Sequence, residues 1–255
     1  MKQICLGLLA LFLVTCNNSD KAIETNMLAK GISLDLAEFR VEQLSDIEYH
    51  LTFDIPESLD KPVVSKLKLE VNINNLQQPL ILDFNADKAL LLNVNANGDD
   101  IEIKHENEHL IIDTTYLKLG ENIIEIDYNA GELSLNRNKE YLYTLLVPDR
   151  ASTLFPCFDQ PALKATFTLT VTTPGHWEAV SNNPVESKVV KGELVEWKFK
   201  TTPRIPTYLD ALIAGPYSSV HDVYKGEKEI PLGIYCRKSM MQYLDPEDIF
   251  LITKQ

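Results

Sequence analysis

The chain has 255 residues, 45% hydrophobic and 24% charged, the balance of an ordinary globular protein and enough for one large domain or two small ones. Its net charge of −13 argues against nucleic acid as a partner, because neutralising phosphates takes clustered Lys and Arg. The charge fits a soluble surface and says nothing about fold.

Residues 1–15 do not belong to a fold. Lys2 precedes an apolar run from Ile4 to Val14, and these 11 residues suit a signal peptide and are too short for a spanning helix. Leu13-Val14-Thr15-Cys16 resembles a bacterial lipobox, which predicts Cys16 as the lipid attachment site and the first residue of the mature chain. The protein would then be a membrane-anchored lipoprotein of the cell envelope, facing the periplasm or the cell surface. Thr15 departs from the pattern, in which Gly, Ala or Ser precedes the cysteine, and an ordinary signal peptide cut elsewhere is the alternative. Residues 16–25 form a short polar tether. No later run reaches the length of a membrane span. Cys5 leaves with the signal and Cys16 takes the lipid, so only Cys157 and Cys236 remain. A disulfide between them is permitted outside the cytoplasm but not indicated, and separated thiols more often stay as buried small hydrophobes. Their spacing is not that of zinc ligands.

From Leu36 the pattern predicts strands. Ile47, Tyr49, Leu51, Phe53 and Ile55 alternate with polar residues until Pro56, and Leu67, Leu69, Val71 and Ile73 alternate again. Leu80–Phe84 and Leu90–Leu92 are denser and are expected to be buried. Asn97-Gly98-Asp99-Asp100 is a turn. Ile101/Ile103, Leu110/Ile112 and Ile124/Ile126/Tyr128 continue at period 2, and Tyr141, Tyr143 and Leu145 lead into a proline-rich stretch. Beyond it come strands at Phe167–Val171, Trp177–Ala179, Val195–Phe199, Tyr208–Ile213 and Ile230–Cys236. Turn signals every 8 to 12 residues or so point to a sandwich or large antiparallel sheets. Only the end differs: Asp245 caps, Pro246 takes the first helical position, and Glu247 and Asp248 fill the first turn of a helix.

The proline-rich stretch, Phe155-Pro156-Cys157-Phe158-Asp159-Gln160-Pro161, is the punctuation of the chain. Each proline fixes φ and removes a donor, so the stretch cannot be a central strand or a helix interior. It predicts a rigid, partly buried corner, with Asp159 accepting backbone N–H bonds and two Phe pinned to the core.

His105-Glu106-Asn107-Glu108-His109 matches H-E-x-x-H, which on a helix places two His for zinc and a Glu to activate water. Here period-2 segments lead in and out, so the five residues predict a hairpin turn. On an extended strand the two imidazoles stand roughly 13 Å apart, against about 2 Å from zinc to each nitrogen. His50, His176 and His221 are isolated and receive no role. Asp99-Asp100 and Glu247-Asp248 are explained by solvation and capping. No catalytic residue and no metal ligand is therefore assigned, and the substrate-binding residues are left unknown.

Phe155–Phe167, FPCFDQPALKATF, resembles the signature of the amino-terminal domain of the aminopeptidase N family of zinc metallopeptidases. Tyr49–Pro56, Leu119–Tyr128 with Gly131, Ser181-Asn182-Asn183-Pro184 and Tyr208–Tyr217 are similar to further segments of that domain in the family's order. The resemblance implies an all-β fold, a saddle-like antiparallel β-sandwich over residues 26–238, with the start of a helix at the C-terminus. Residues 239–255 would be the truncated start of the catalytic domain. It implies that this domain covers one side of an active site whose zinc, G-x-M-E-N loop and catalytic H-E-x-x-H lie on a domain absent from this sequence. No cofactor is expected in this chain, which alone is expected to be inactive. Its partners would be that catalytic domain, peptide substrates and, through the lipid, the membrane. The family takes a Glu nineteen residues after its second zinc His, where this chain has Tyr128. Many members place Gln or Glu before the proline corner to hold the substrate's amine; Val147 stands there, with Asp149 the nearest acid. Val cannot accept an ammonium hydrogen bond, so no substrate residue is carried over. A free-standing surface lipoprotein that binds protein or glycan is the alternative from another class.

Overall fold

The computed structural model describes residues 26–255. Cys16 and the tether lie outside the described residues. In chain order the elements are α1 (Leu34–Gln43), β1 (Leu44–Asp54), β2 (Val64–Ile73), β3 (Leu80–Asp83), β4 (Leu91–Ala96), β5 (Asp99–Asp100) and β6 (Lys104–Glu106). Then come β7 (His109–Ile112), β8 (Gly120–Asn129), β9 (Leu135–Arg137), β10 (Leu142–Thr144), β11 (Thr166–Pro174) and β12 (Glu178–Ser181). The chain finishes with β13 (Val185–Lys191), β14 (Leu194–Phe199), β15 (Leu212–Gly215), β16 (Tyr217–Lys225), β17 (Glu229–Arg237) and α2 (Pro246–Thr253).

An eight-stranded sheet runs in the order β13-β14-β11-β1-β2-β8-β4-β5. Against it lie a four-stranded sheet, β12-β15-β10-β9, and a three-stranded one, β3-β7-β6. The layers share one core: Leu51, Leu69, Ile126 and Leu169 from the large sheet pack with Leu82, Ile112, Leu142 and Ala214 from the small ones. The all-β sandwich expected from the alternation is thus observed. Strict period 2 explains it, because every second side chain of β1, β2, β8 and β11 points to the same buried face. One pairing departs from the antiparallel expectation. β1 and β11 run parallel, with Tyr49 opposite Phe167 and their rings stacked at 4.9 Å. A parallel pair cannot be joined by a tight turn. The chain between them builds both small sheets and the proline corner before returning to β1's edge.

Four local expectations are corrected. The segment from Leu36 is a helix, not a strand: the Ser33 side chain accepts from the Leu36 N–H at 3.1 Å, and Leu36, Arg40 and Gln43 fall on one buried face. In Leu90–Leu92 only Leu91 is buried, and Leu92 is 53% exposed. Before the corner the phase is reversed, with Leu142 and Leu146 inward and Tyr143 and Leu145 outward. Tyr208–Ile213 is not one strand, because a 3-10 turn at Thr207–Leu209 follows Pro206 and β15 begins only at Leu212. Strands β9, β13 and β16 had no sequence signal. β13 is exposed along its whole length, and β16 pairs only with β17.

Candidate functional site

The proline corner is buried from Phe155 to Gln160, more deeply than the sequence predicts. Its backbone joins the three-stranded sheet at Cys157, which donates to the Asp83 carbonyl at 3.0 Å and accepts from the Asp83 N–H at 2.7 Å. The Tyr49 hydroxyl accepts from the Phe158 N–H at 2.9 Å and ties the corner to β1. Asp159 accepts from the Ser152 N–H at 3.0 Å and the Thr207 hydroxyl at 2.7 Å, as foreseen for a corner carboxylate. Burial pushes its carboxyl above the usual range despite these bonds. Asp210, reached through the same turn, is raised to about 7 by burial, with only the Ala211 N–H opposing.

The centre of this region is Asp83, which sequence reasoning missed. Its two oxygens accept from Arg40 at 2.7 and 2.8 Å, from the Asp159 N–H at 2.9 Å and from His109 Nδ1 at 3.1 Å. Burial raises the Asp83 carboxyl, but Arg40 and these hydrogen bonds outweigh it and hold it below the usual range. Arg40, 1% exposed, also donates to the Ile81 carbonyl at 2.7 Å and lies 5.5 Å from the Phe158 ring centre. An arginine four residues after Leu36 on a capped helix was the available signal. Its partner, forty-three residues on, could not be read from spacing. A polar cleft of about 300 Å³ opens beside the network, lined in part by Asp83, Glu108, His109, Asp149 and Asp159. Asp83 is already committed to Arg40 and His109, so this arrangement is built to hold elements together rather than to transfer protons.

The H-E-x-x-H residues form the foreseen hairpin. β6 and β7 are joined by Asn107 and Glu108, both with left-handed φ, +49° and +72°. Glu106 pairs with His109 and His105 with Leu110. Opposed residues share a face of the sheet, so the two imidazoles lie on opposite faces. His105 Nε2 meets the Phe84 carbonyl at 2.8 Å, and both His109 nitrogens are engaged. These residues do not fit a zinc site, and among the described residues no cluster of three or more His, Cys, Asp or Glu is placed to hold a metal. Cys157, in the corner, and Cys236, on β17, are free thiols. Val147 is 54% exposed and Asp149 borders the polar cleft.

A second feature is the outer face of the four-stranded sheet. Tyr143 opposes Ile213 and Ile213 opposes Val180, so the three share one face. Leu142, Ala214 and Ala179 fill the other, buried face. Tyr143 and Ile213 on this face are exposed apolar side chains, as are Leu145 and Val147 in the segment that follows β10.

Comparison with known proteins gives this geometry a context. A family model described as the Peptidase M1 N-terminal domain matches residues 45–209, from β1 to the 3-10 turn before β15. Aminopeptidase N of Streptomyces lividans is 41% identical over 175 residues, covering 64% of this chain and 20% of that protein. Aminopeptidase N of Acetobacter pasteurianus is 40% identical over 120 residues, covering 47% of this chain and 32% of that protein. The chain thus spans between a fifth and a third of the length of these curated relatives. Among solved structures, Legionella pneumophila aminopeptidase A in complex with aspartic acid superposes with a TM-score of 0.70 at 21% identity, over 80% of this chain and 25% of that one. The M1 zinc metallopeptidase from Deinococcus radiodurans superposes with a TM-score of 0.60 at 19% identity, over 74% of this chain and 46% of that one. At these identities the superpositions establish the fold, while the family match rests on the sequence of the β domain itself. The chain belongs to the Peptidase M1 N-terminal domain family.

Proposed function

We propose that these residues are the non-catalytic amino-terminal domain of a zinc-dependent aminopeptidase, which removes single residues from the amino termini of peptides. The observation that carries the reading is the family match over residues 45–209 in a chain spanning a fifth of its aminopeptidase relative's length. The hairpin geometry of His105 and His109 supports placing the zinc chemistry on other polypeptide, with residues 239–255 leading into it. In this reading the outer face of the four-stranded sheet, with Tyr143 and Ile213, packs against the catalytic domain and roofs one side of its active site. Exposed apolar side chains sharing one sheet face favour a buried interface over free exposure. Lipid attachment at Cys16 would hold the enzyme at the cell envelope.

Two measurements test this. The purified 255-residue chain is expected to leave an aminoacyl-anilide intact; turnover that a chelator abolishes would refute a non-catalytic role. Mass spectrometry of the mature protein is expected to find a diacylglyceryl-modified Cys16 at the amino terminus, and an unmodified terminus elsewhere would remove the anchor. A stop codon directly after codon 255 of the gene would instead favour a free-standing binding lipoprotein.

A further inference from the structure

The buried hairpin histidine is unsuited to metal, and its surroundings assign it a different task. His109 is 1% exposed. Nδ1 faces Asp83 Oδ1 at 3.1 Å and Nε2 faces the Ala29 carbonyl oxygen at 3.0 Å. Both neighbours are acceptors. A carbonyl oxygen carries no proton, and Asp83 is kept ionised by its two bonds from Arg40. A neutral imidazole has one N–H, so one of these contacts would set a nitrogen lone pair against an oxygen lone pair. Only the imidazolium donates to both.

The neighbouring turn residues grip the same short segment. The Asn107 side chain donates to the Leu28 carbonyl at 2.9 Å, and Glu108 pairs with Lys30 at 3.0 Å. Consecutive residues 107–109 thus hold consecutive residues 28–30, and His109 is the one buried member of the clamp. Around it stand Asp83 from β3, Arg40 from α1, Glu108 from its own turn and Lys30 from the clamped segment. Asp149 and Asp159 border the same cleft from the corner side. Of these, the Asp83 carboxylate favours the protonated ring and the Arg40 guanidinium opposes it.

We propose that His109 is a pH-sensitive latch: as an imidazolium it fastens residues 28–30 to the β6–β7 hairpin, and loss of one proton releases that segment while Met27 stays packed on Leu36 and Ile81 and the sheets stay folded. Burial works against the charged ring, but the bonds to Asp83 and Ala29 outweigh it and hold the imidazole above its ordinary value. Because the folded value is raised, the latch is closed below the free-histidine value and opens as pH rises through the higher folded one. α1 remains anchored by Arg40, so the opening is local. The inference concerns this domain alone and does not depend on the enzymatic reading above.

The test is nitrogen-15 and amide-exchange NMR of the 255-residue chain between pH 5.5 and 9. Both ring nitrogens of His109 are expected to be protonated at pH 6.5. Exchange at Ala29, whose N–H donates to the Asn26 carbonyl at 3.3 Å, corrected for the base catalysis of exchange itself, is expected to rise about tenfold as the ring deprotonates, while β1, β2 and β8 stay protected. His109→Phe is expected to abolish the pH step and His105→Gln to keep it. A neutral His109 tautomer at pH 6.5, or exchange at Ala29 that stays flat through its titration, would overturn the latch. Both readings come from the unsubstituted chain, so the outcome does not depend on a variant folding.

Discussion

Asp210 and Asp83 are both buried carboxyls, and their neighbours give them opposite dependences on pH. Asp210 has no counter-ion, and burial raises it from 3.8 to about 7. Below the lower value it is neutral in the folded and the unfolded chain, and it has no effect on the equilibrium. Above that the unfolded chain ionises first, so the fold loses stability as pH rises toward 7, by on the order of 4 kcal/mol. Asp159, also raised, acts in the same direction. Asp83 is lowered by Arg40, so its contribution is present above the unfolded value and lost as pH falls through the folded one. Asp210→Asn is therefore expected to gain stability over the parent at pH 8 and to match it near pH 4, as read from urea midpoints at the two pH values. Equal differences at both would rule out an ionising Asp210. Gly131 poses a steric question at the same corner. A Cβ there would stand 1.9 Å from the Thr153 carbonyl oxygen, a backbone atom that cannot swing aside. Gly131→Ala is expected to cost more than about 2 kcal/mol in the same assay.

Among the elements, α1 shows how a short helix is fixed to a β domain. Its cap and first-turn acid start it, but ten residues are too few for stability in isolation. Leu36 and the pair of Arg40 with Asp83 dock it on β3, and Gln160 Nε2 donates to the Ala37 carbonyl at 2.9 Å from the corner. Removing one member of a buried pair leaves the other charge uncompensated. Arg40→Met is thus expected to lower stability by about 3–5 kcal/mol, with amide protection lost first across α1. Ser33→Ala removes only the cap and is expected to cost about 1 kcal/mol, confined to α1 in hydrogen exchange. If Arg40→Met proved neutral, the network would be incidental to the fold.

For the whole molecule, the question is which surfaces are meant to be covered. Tyr143 and Ile213 face outward from the four-stranded sheet, so Tyr143→Asp and Ile213→Asp are expected to change the stability of this domain by no more than about 0.5 kcal/mol. In a longer parent protein the same changes are expected to split one calorimetric transition into two, by uncoupling the β domain from its neighbour; a single unshifted transition would mean that this face does not carry the interface. The alternating residues of β1, β2, β8, β11 and β14 are assigned correctly from sequence because period 2 is a local property of a half-buried sheet. The corner at Phe155–Pro161 and the hairpin at His105–His109 are equally local, set by proline geometry and by the flanking strands. Asp83, Arg40 and the two acceptors of His109 are not local. Their partners are separated by 26 to 80 residues along the chain, and α1 lies in a segment whose apolar spacing also suits a strand. The order of residues therefore determined the strictly alternating strands, the corner and the family. Only the tertiary structure decided which buried charges meet, because contacts made through space across a sandwich leave no period in the sequence.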